Sequence, residues 1–300
     1  MIRVLAVVGV VAGLVVLVAR TDLASIGSAL ARVSPWPIAL AAVINFGIIA
    51  CKAIAWRTLL QPDHDVSVMR LFRYTLASCA ASVILPLRAG ELVRLWMLRD
   101  RDGVPVARGA AVAIAEKLLD ILSMVIVVAP VPLVLAGVPR SVGLWITGLA
   151  LGLVVVLLAL RTWGPKPGGA GWRGQFADGL AVLRDGRRFA LATAALVVAW
   201  LIDLAMIELV LHAARIDLPL GAAALLLFAI NVAIAIPTTP GQLGVLELGA
   251  MLGLRLLHAP ESESLVFAVA YHALQVVPIL VLGLLMGAKD LWRYTPPSSQ

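Results

Sequence analysis

The chain has 300 residues, of which 62% are hydrophobic and 14% are charged, and its formal net charge is +7. Soluble domains are typically about 45–50% apolar and about 25% charged, so this composition excludes an ordinary soluble protein and predicts a polytopic membrane protein. In such a protein an excess of Lys and Arg indicates loops that face anionic lipid on the cytoplasmic side, and favours nucleic-acid binding much less.

The first half of the chain contains three stretches that are long and apolar enough to cross a bilayer, at 1–19, 38–60 and 109–136. Residues 1–19 are interpreted as a retained span rather than a signal peptide, because no small-residue cleavage site follows. Between the second and third stretches, residues 66–98 are interrupted at Pro86–Gly90. The arm after this break is only about two turns long and cannot cross, so we predict a re-entrant helical hairpin.

The second half repeats this order, with predicted spans at 142–160, 189–212 and 262–286 and a second interrupted stretch at 220–257. Its break, Pro237–Gly241, lies 151 residues after the first. Paired breaks in corresponding places of two halves are typical of the binding site of a transporter.

The basic loops orient the predicted spans. Residues 99–108, residues 161–188 and the C-terminus carry most of the Lys and Arg and are therefore predicted to face the cytoplasm, together with the N-terminus. The hairpins then enter from opposite sides. We predict an all-α polytopic protein of the cytoplasmic membrane, with a single integral membrane domain of two inverted repeats, 1–138 and 139–300.

Ionisable side chains inside a span are costly and indicate a functional site. Glu116 and Asp120 lie four residues apart on one helical face, where like charges repel, so a partner or a shared proton must offset the repulsion. Lys117, Arg88 and Arg94 are the candidate partners. The group either couples a proton to function or is a structural ion pair between the hairpin and the third span.

The two breaks suggest where a ligand binds. Arg88 precedes the free N–H groups of the returning arm, an arrangement that suits a phosphate, although a salt bridge to Glu91 or Glu116 is the alternative. The second break offers hydroxyls instead of a guanidinium, followed by two glycines that either approach a ligand or only permit close packing. Its residues are Thr238, Thr239, Gly241, Gly244 and Glu247.

Other polar residues occur in the remaining spans. His212 is expected at the outer interface, and Lys52 is close enough to the inner end of its span to snorkel, so neither is assigned to the site. Cys51 and Cys79 have no metal or disulfide spacing and are interpreted as small core residues. Candidate coupling or polar residues in the second half are Asp203, Glu208, Tyr271, His272 and Gln275.

Three segments together resemble the transmembrane flippase domain of lysylphosphatidylglycerol synthases. They are Leu85–Glu91 with Arg94, Glu116–Asp120, and Pro237–Glu247. The sequence departs from the family pattern at Lys117, where arginine is common, and at Gln242, where a second glycine is common. No part of the chain is left for the soluble aminoacyl-transferase domain. The resemblance therefore implies lipid translocation without lysyl transfer, and standalone relatives are associated with phospholipids, polyprenyl-linked sugars or hopanoids.

The leading hypothesis is a lipid translocator without a cofactor, in which the two halves rock around a headgroup held between the hairpins. No P-loop motif is present, which argues against ATP coupling in this chain. One alternative is a non-transporting partner subunit of a glycosyltransferase or lipid synthase. Another is an intramembrane enzyme that acts on a lipid phosphate through Glu116, Asp120 and His272. The predicted binding residues are Arg88, Gly90, Glu91, Arg94, Thr238, Thr239, Gly241, Gly244 and Glu247, and the predicted coupling or charge-compensating residues are Glu116, Lys117, Asp120, Asp203 and His272.

Overall fold

The computed structural model of the chain is helical throughout the part that it describes. The described residues are 33–84, 90–131, 140–164, 167–219, 221–235 and 240–291. The predicted first span, Pro86 of the first break and Pro237 of the second lie outside these ranges.

The first five helices cover the first half of the chain and the beginning of the second. They are α1 (Pro35–Leu60), α2 (Val68–Ile84), α3 (Gly90–Asp102), α4 (Val106–Val128) and α5 (Arg140–Trp163).

The second group begins with a short helix and ends with the longest one. It consists of α6 (Gly171–Ala181), α7 (Gly186–Ala213), α8 (Ala222–Ile234), α9 (Val245–Leu256) and α10 (Glu261–Leu291).

In the part of the chain that the structure describes, four helices are long and apolar enough to cross a membrane: Pro35–Leu60, Ser141–Trp163, Gly186–Ala213 and Glu261–Gly283. They correspond to the predicted spans 38–60, 142–160, 189–212 and 262–286. Helix α4 has 23 residues, which is also a sufficient length, but it carries the charged Glu116–Asp120 segment. The chain is therefore an all-helical membrane protein.

The predicted cytoplasmic loop 99–108 is mostly helical. Helix α3 continues past the predicted arm to Asp102, so Arg99 and Arg101 lie in its last turn, and Arg108 lies in the first turns of α4. Cations at a helix C-terminus interact favourably with the helix dipole, which explains why the basic residues extend the helix instead of ending it.

The predicted polar loop 161–188 contains a helix that sequence reasoning missed. Helix α6 is held on α4, where a Cβ added at Gly179 would collide with Ala111. Trp172 and Phe176 stack on α6 with ring centroids 5.4 Å apart. Tertiary packing of this kind overrides the low helix propensity of a glycine-rich segment.

Helix α4 is continuous from Val106 to Val128, a turn follows at Ala129 and Pro130, and Val131 is helical again. Pro130 has no N–H to donate, and its ring would clash with the carbonyl four residues before it, which accounts for the interruption. Residues 132–136 of the predicted span 109–136 lie outside the described residues.

Helices α2 and α3 pack against each other as an antiparallel pair. Gly90, at the start of α3, lies so close to Ser78 and Ser82 that an added Cβ would collide with both residues. At the other end of the pair, Arg70 of α2 forms a salt bridge with Asp102 of α3.

Helices α8 and α9 form a second antiparallel pair, again built on glycine. Gly249 faces Ile230 and Ala233, whereas Gly253, one turn later, faces Leu226. Small residues at these positions let the two helix backbones approach closely.

The two helix pairs touch where each pair is interrupted. A Cβ added at Gly241 would lie 3.4 Å from both Cγ1 and the carbonyl oxygen of Val83, at the end of α2. Helices α1 and α7 form the most extensive helix–helix contact among the described residues, and α10 packs on α2, α9 and α1. This arrangement brings polar residues of seven helices toward one space.

Candidate functional site

A cavity of about 320 Å³ lies between the helices. Residues from α1, α2, α3, α4, α7, α8, α9 and α10 line it, together with the 3-10 turn Pro240–Gln242. Eight of the described lining residues are ionisable side chains of Lys, Arg, Asp, Glu or His, in a protein whose helices are otherwise strongly apolar: Lys52, Glu91, Arg94, Glu116, Lys117, Asp120, Asp203 and His272.

The charged groups of α4 are neutralised within the cavity wall. Lys52 Nζ lies 3.1 Å from Asp120 Oδ2 and 3.6 Å from Glu116 Oε1. Arg94 Nη2 lies 3.6 Å from Glu116 Oε2, and Lys117 Nζ lies 3.8 Å from Asp120 Oδ2. The repulsion expected between the two carboxylates is therefore offset by three cations.

Two of these cations were predicted partners and one was not. Arg94 joins α3 to α4 and Lys117 pairs within α4, as the sequence suggested. Lys52 was expected to snorkel to the interface, and this expectation is wrong, because its ammonium group points to the carboxylates of α4. A buried pair of carboxylates attracts the lysine more strongly than the interface does.

Two tryptophans also contact residues of this ionic cluster, and no pattern in the sequence predicted these contacts. The Arg94 guanidinium carbon lies 3.9 Å from the ring centroid of Trp56, which is fully buried. Trp200 Nε1 donates a hydrogen bond of 2.9 Å to the backbone carbonyl of Asp120. Both rings fix the positions of charged residues that line the cavity.

Asp203 lies on the other side of the cluster and has only neutral hydrogen-bond donors. Tyr271 Oη donates to Asp203 Oδ1 at 2.7 Å, and Gln275 Nε2 donates to the same oxygen at 3.2 Å. No ion pair of Asp203 is found among the described residues. The contacts join α7 to α10 and use the polar stripe predicted on the last span.

His272 connects α10 to the second interrupted segment. Its Nδ1 lies 2.6 Å from Glu247 Oε1, and its Nε2 lies 2.8 Å from the Gly241 carbonyl oxygen. Glu247 Oε2 in turn accepts a hydrogen bond of 2.8 Å from the Gly244 backbone N–H, which caps α9. Four of the residues predicted from the second half are thus linked to one another: Gly241, Gly244, Glu247 and His272.

The remaining predicted residues fall outside this cluster or outside the described ranges. Arg88, Thr238 and Thr239 are not among the described residues. Glu208 and His212 are exposed on α7 and do not line the cavity.

The cavity wall also contains a thiol, since Cys79 lies on it, and both cysteines are free. In the described part of the chain, no group of three His, Cys, Asp or Glu side chains could hold a metal ion.

Comparison with known proteins identifies the family. The family described as "Lysylphosphatidylglycerol synthase TM region" matches residues 3–283, which is nearly the whole chain. No match is found among curated proteins. The matched region is the membrane part of these synthases, in agreement with the apolar helices and with the three segments quoted above. The chain belongs to the lysylphosphatidylglycerol synthase transmembrane region family.

Proposed function

We propose that this protein is a lipid translocator of the cytoplasmic membrane, with both termini in the cytoplasm. A polar, phosphate-bearing headgroup would pass through the cavity between two re-entrant helix pairs while the apolar tails remain in the bilayer. Alternating access would come from rocking of the two halves around this cavity.

The observation that carries the proposal is the charged cavity inside apolar helices. Ionisable side chains within membrane helices are rare, and they line pathways for polar substrates or form coupling sites. A cavity of about 320 Å³ falls at the lower end of the volumes that hold small ligands, about 300–1,000 Å³. It accommodates a headgroup and does not need to hold the tails.

The lengths of the paired helices support re-entrance. Helix α2 has 17 residues, whereas α3 and α8 have 13 each and α9 has 12. A helix needs about 20 residues to cross the hydrocarbon core. Helices α3, α8 and α9 are therefore expected to reach partway across the bilayer and return.

The helix contacts also support two equivalent halves. The contact of α1 with α2 has a counterpart in that of α7 with α8, and the contact of α3 with α4 has one in that of α9 with α10. Likewise, α4 packs on α7 as α10 packs on α1. This correspondence is what a two-fold repeat with boundaries near 138 and 139 would produce.

The charge of the cavity bears on where a phosphate would bind. Among the described lining residues three cations face four carboxylates, so this part of the wall is not a basic site. The start of α9 is already capped by Glu247, which leaves it less suited to an anion. We therefore assign phosphate binding to the first break, where Arg88 precedes the free N–H groups of α3.

Reconstitution in vesicles tests the function. Vesicles of phosphatidylglycerol and phosphatidylethanolamine, with a trace of phosphatidylglycerol labelled with a fluorophore on its tail, would report headgroup movement through chemical quenching of the outer leaflet. The protein is expected to increase this movement over protein-free vesicles. Arg88→Ala should return the rate to that of protein-free vesicles, whereas Arg99→Ala, in the exposed last turn of α3, should not.

Two results of this experiment would each reject a different part of the proposal. Unchanged movement with Arg88→Ala would remove Arg88 from the proposed site. No movement by the unmodified protein would reject translocation of phosphatidylglycerol.

A further inference from the structure

The contacts of His272 require a definite number of protons. The Gly241 carbonyl oxygen, 2.8 Å from Nε2, can only accept a hydrogen bond, so Nε2 must carry a hydrogen. Nδ1 faces Glu247 Oε1 at 2.6 Å, and this contact also needs a hydrogen, because a bare ring nitrogen and a carboxylate oxygen are both acceptors. One further proton therefore lies between His272 and Glu247, on either atom.

Loss of this shared proton would break the contact. A neutral His272 with its hydrogen on Nε2 and an ionised Glu247 would hold two acceptor atoms 2.6 Å apart, which is repulsive. The neutral ring could instead carry its hydrogen on Nδ1 and donate it to Glu247. Nε2 would then have no hydrogen, and the bond to the Gly241 carbonyl oxygen would be lost. Either way, one of the two contacts is lost.

Both contacts hold the second interrupted segment in place. Gly241 is contacted by His272, Gly244 is held by Glu247, and Gly241 packs on Val83 of the first helix pair. Gly241 and Val83 also line the cavity. The proton between His272 and Glu247 therefore stabilises the contact where the two helix pairs meet at the cavity.

The charged groups around His272 leave Glu247 as its direct partner. On α7, Asp203 accepts its hydrogen bonds from Tyr271 and Gln275. On α1, Lys52 is paired with the carboxylates of α4. Helix α2 contributes one titratable group to the described cavity lining, the Cys79 thiol.

We infer that His272 and Glu247 form a proton-binding site that latches residues 240–244 against the first helix pair when the proton is bound and releases them when it leaves. The ligand of this site is a proton, supplied from the cavity that His272 lines. Its role in gating rests on the proposed translocator function, but proton binding and release of the segment can be measured without any transport.

Hydrogen–deuterium exchange of the unmodified protein in lipid nanodiscs tests the latch. Exchange of a peptide covering residues 240–248 would be followed from about pH 5 to about pH 9, a range that brackets ordinary histidine titration, after correction for the intrinsic pH dependence of exchange. We expect exchange of this peptide to become about tenfold faster as pH rises, as for loss of one charge-assisted hydrogen bond. A peptide from the first half of α7 should show no such change.

Two variants are expected to change the exchange rate of residues 240–248 in opposite directions. In Glu247→Gln, the amide oxygen still accepts from Gly244 and the amide N–H donates to neutral His272, so the segment should stay protected at high pH, where the unmodified protein loses its protection. In His272→Ala, the segment should exchange rapidly at every pH. Glu208→Gln is the matched control, because Glu208 is an exposed carboxylate on α7, and it should behave as the unmodified protein does.

A pH-independent exchange rate of residues 240–248 in the unmodified protein would overturn the inference. So would a pH response in Glu247→Gln equal to that of the unmodified protein. If the unmodified protein shows the latch but moves no lipid in vesicles, the proton site stands and the translocator proposal fails, so the two failures can be told apart.

Discussion

Glu116 and Asp120 are buried carboxylates that remain in the wall only because cations surround them. Their side chains are 8% and 7% exposed, and among the described residues Lys52 is the one cation that contacts both. Removal of one partner from a buried charge network leaves an uncompensated charge, which costs about 3–5 kcal/mol. Of the residues in the cluster, Lys52 is therefore expected to be the one whose replacement lowers the stability of the protein most.

We expect Lys52→Met to lower the thermal unfolding midpoint by about 10 °C, because two carboxylates lose their common partner. Intrinsic fluorescence of the eight tryptophans in detergent would measure this midpoint. Lys117→Met is the matched control. Its side chain is 50% exposed, and its one ion pair within the described ranges is with Asp120, so its loss should cost less than about 1 kcal/mol.

A second substitution checks the cause of the Lys52→Met effect. Adding Asp120→Asn to Lys52→Met removes one of the two carboxylates that have lost their shared cation, and it should recover part of the lost midpoint. An equal midpoint for Lys52→Met and Lys117→Met would contradict the central place of Lys52 in the cluster.

The role of Lys52 could not be predicted from sequence, although the charged residues of α4 could. Glu116 and Asp120 are conspicuous because they interrupt an apolar helix, and their mutual repulsion demands a partner. Lys52 lies on a helix 68 residues away from Asp120, and its distance from the helix end suited snorkelling equally well. Only the packing of α1 against α4 decides whether the Lys52 side chain points to the carboxylates of α4 or to the membrane interface.

At the scale of helices, close approach between paired helices depends on glycine. A Cβ added at Gly90 would collide with the Ser78 carbonyl oxygen and with Ser82, both of which belong to the facing helix. Gly148 on α5, by contrast, has nothing within 4 Å of an added Cβ. The two glycines offer a direct comparison of packing against helix propensity.

Gly90→Ala is expected to force α2 and α3 apart and to destabilise the protein by about 1–3 kcal/mol, because backbone atoms cannot move aside as a flexible side chain would. Gly148→Ala should be neutral or stabilising by up to about 1 kcal/mol, since alanine is the better helix former. Thermal midpoints of the two variants in the same detergent test this difference. A Gly90→Ala midpoint equal to or above that of Gly148→Ala would mean that α2 and α3 are not packed at Gly90.

Helix existence followed from the sequence more reliably than helix ends. Long apolar stretches predicted α1, α5, α7 and α10, because few structures other than a helix satisfy the backbone of such a run in a bilayer. The prediction of a loop at 161–188 was wrong, because α6 is held by contacts with α4 that local composition cannot show. Similarly, the sequence showed the break at Pro237–Gly241, but it did not show the capping of α9 by Glu247.

At the scale of the whole molecule, two cavity residues have the spacing that the proposed repeat requires. Lys52 on α1 and Asp203 on α7 are 151 residues apart, the same offset that separates Gly90 from Gly241. Helices α1 and α7 also pack against each other more extensively than any other described pair. If the halves are related by a two-fold axis in the membrane plane, this axis passes near the contact of α1 with α7 and places Lys52 and Asp203 on opposite sides of it.

The proposed inverted repeat makes a prediction about the sides of the membrane. Ser67, just before α2, and Asp217, just before α8, are both exposed and precede equivalent helix pairs. In a background of Cys51→Ala and Cys79→Ala, we expect Asp217→Cys to react with a membrane-impermeant maleimide in intact cells. Ser67→Cys should react only after the membrane is permeabilised, because the first helix pair is predicted to enter from the cytoplasm. Labelling of both positions from the same side would show that the halves are not inverted, and the helix pairs could not then enter the bilayer from opposite faces.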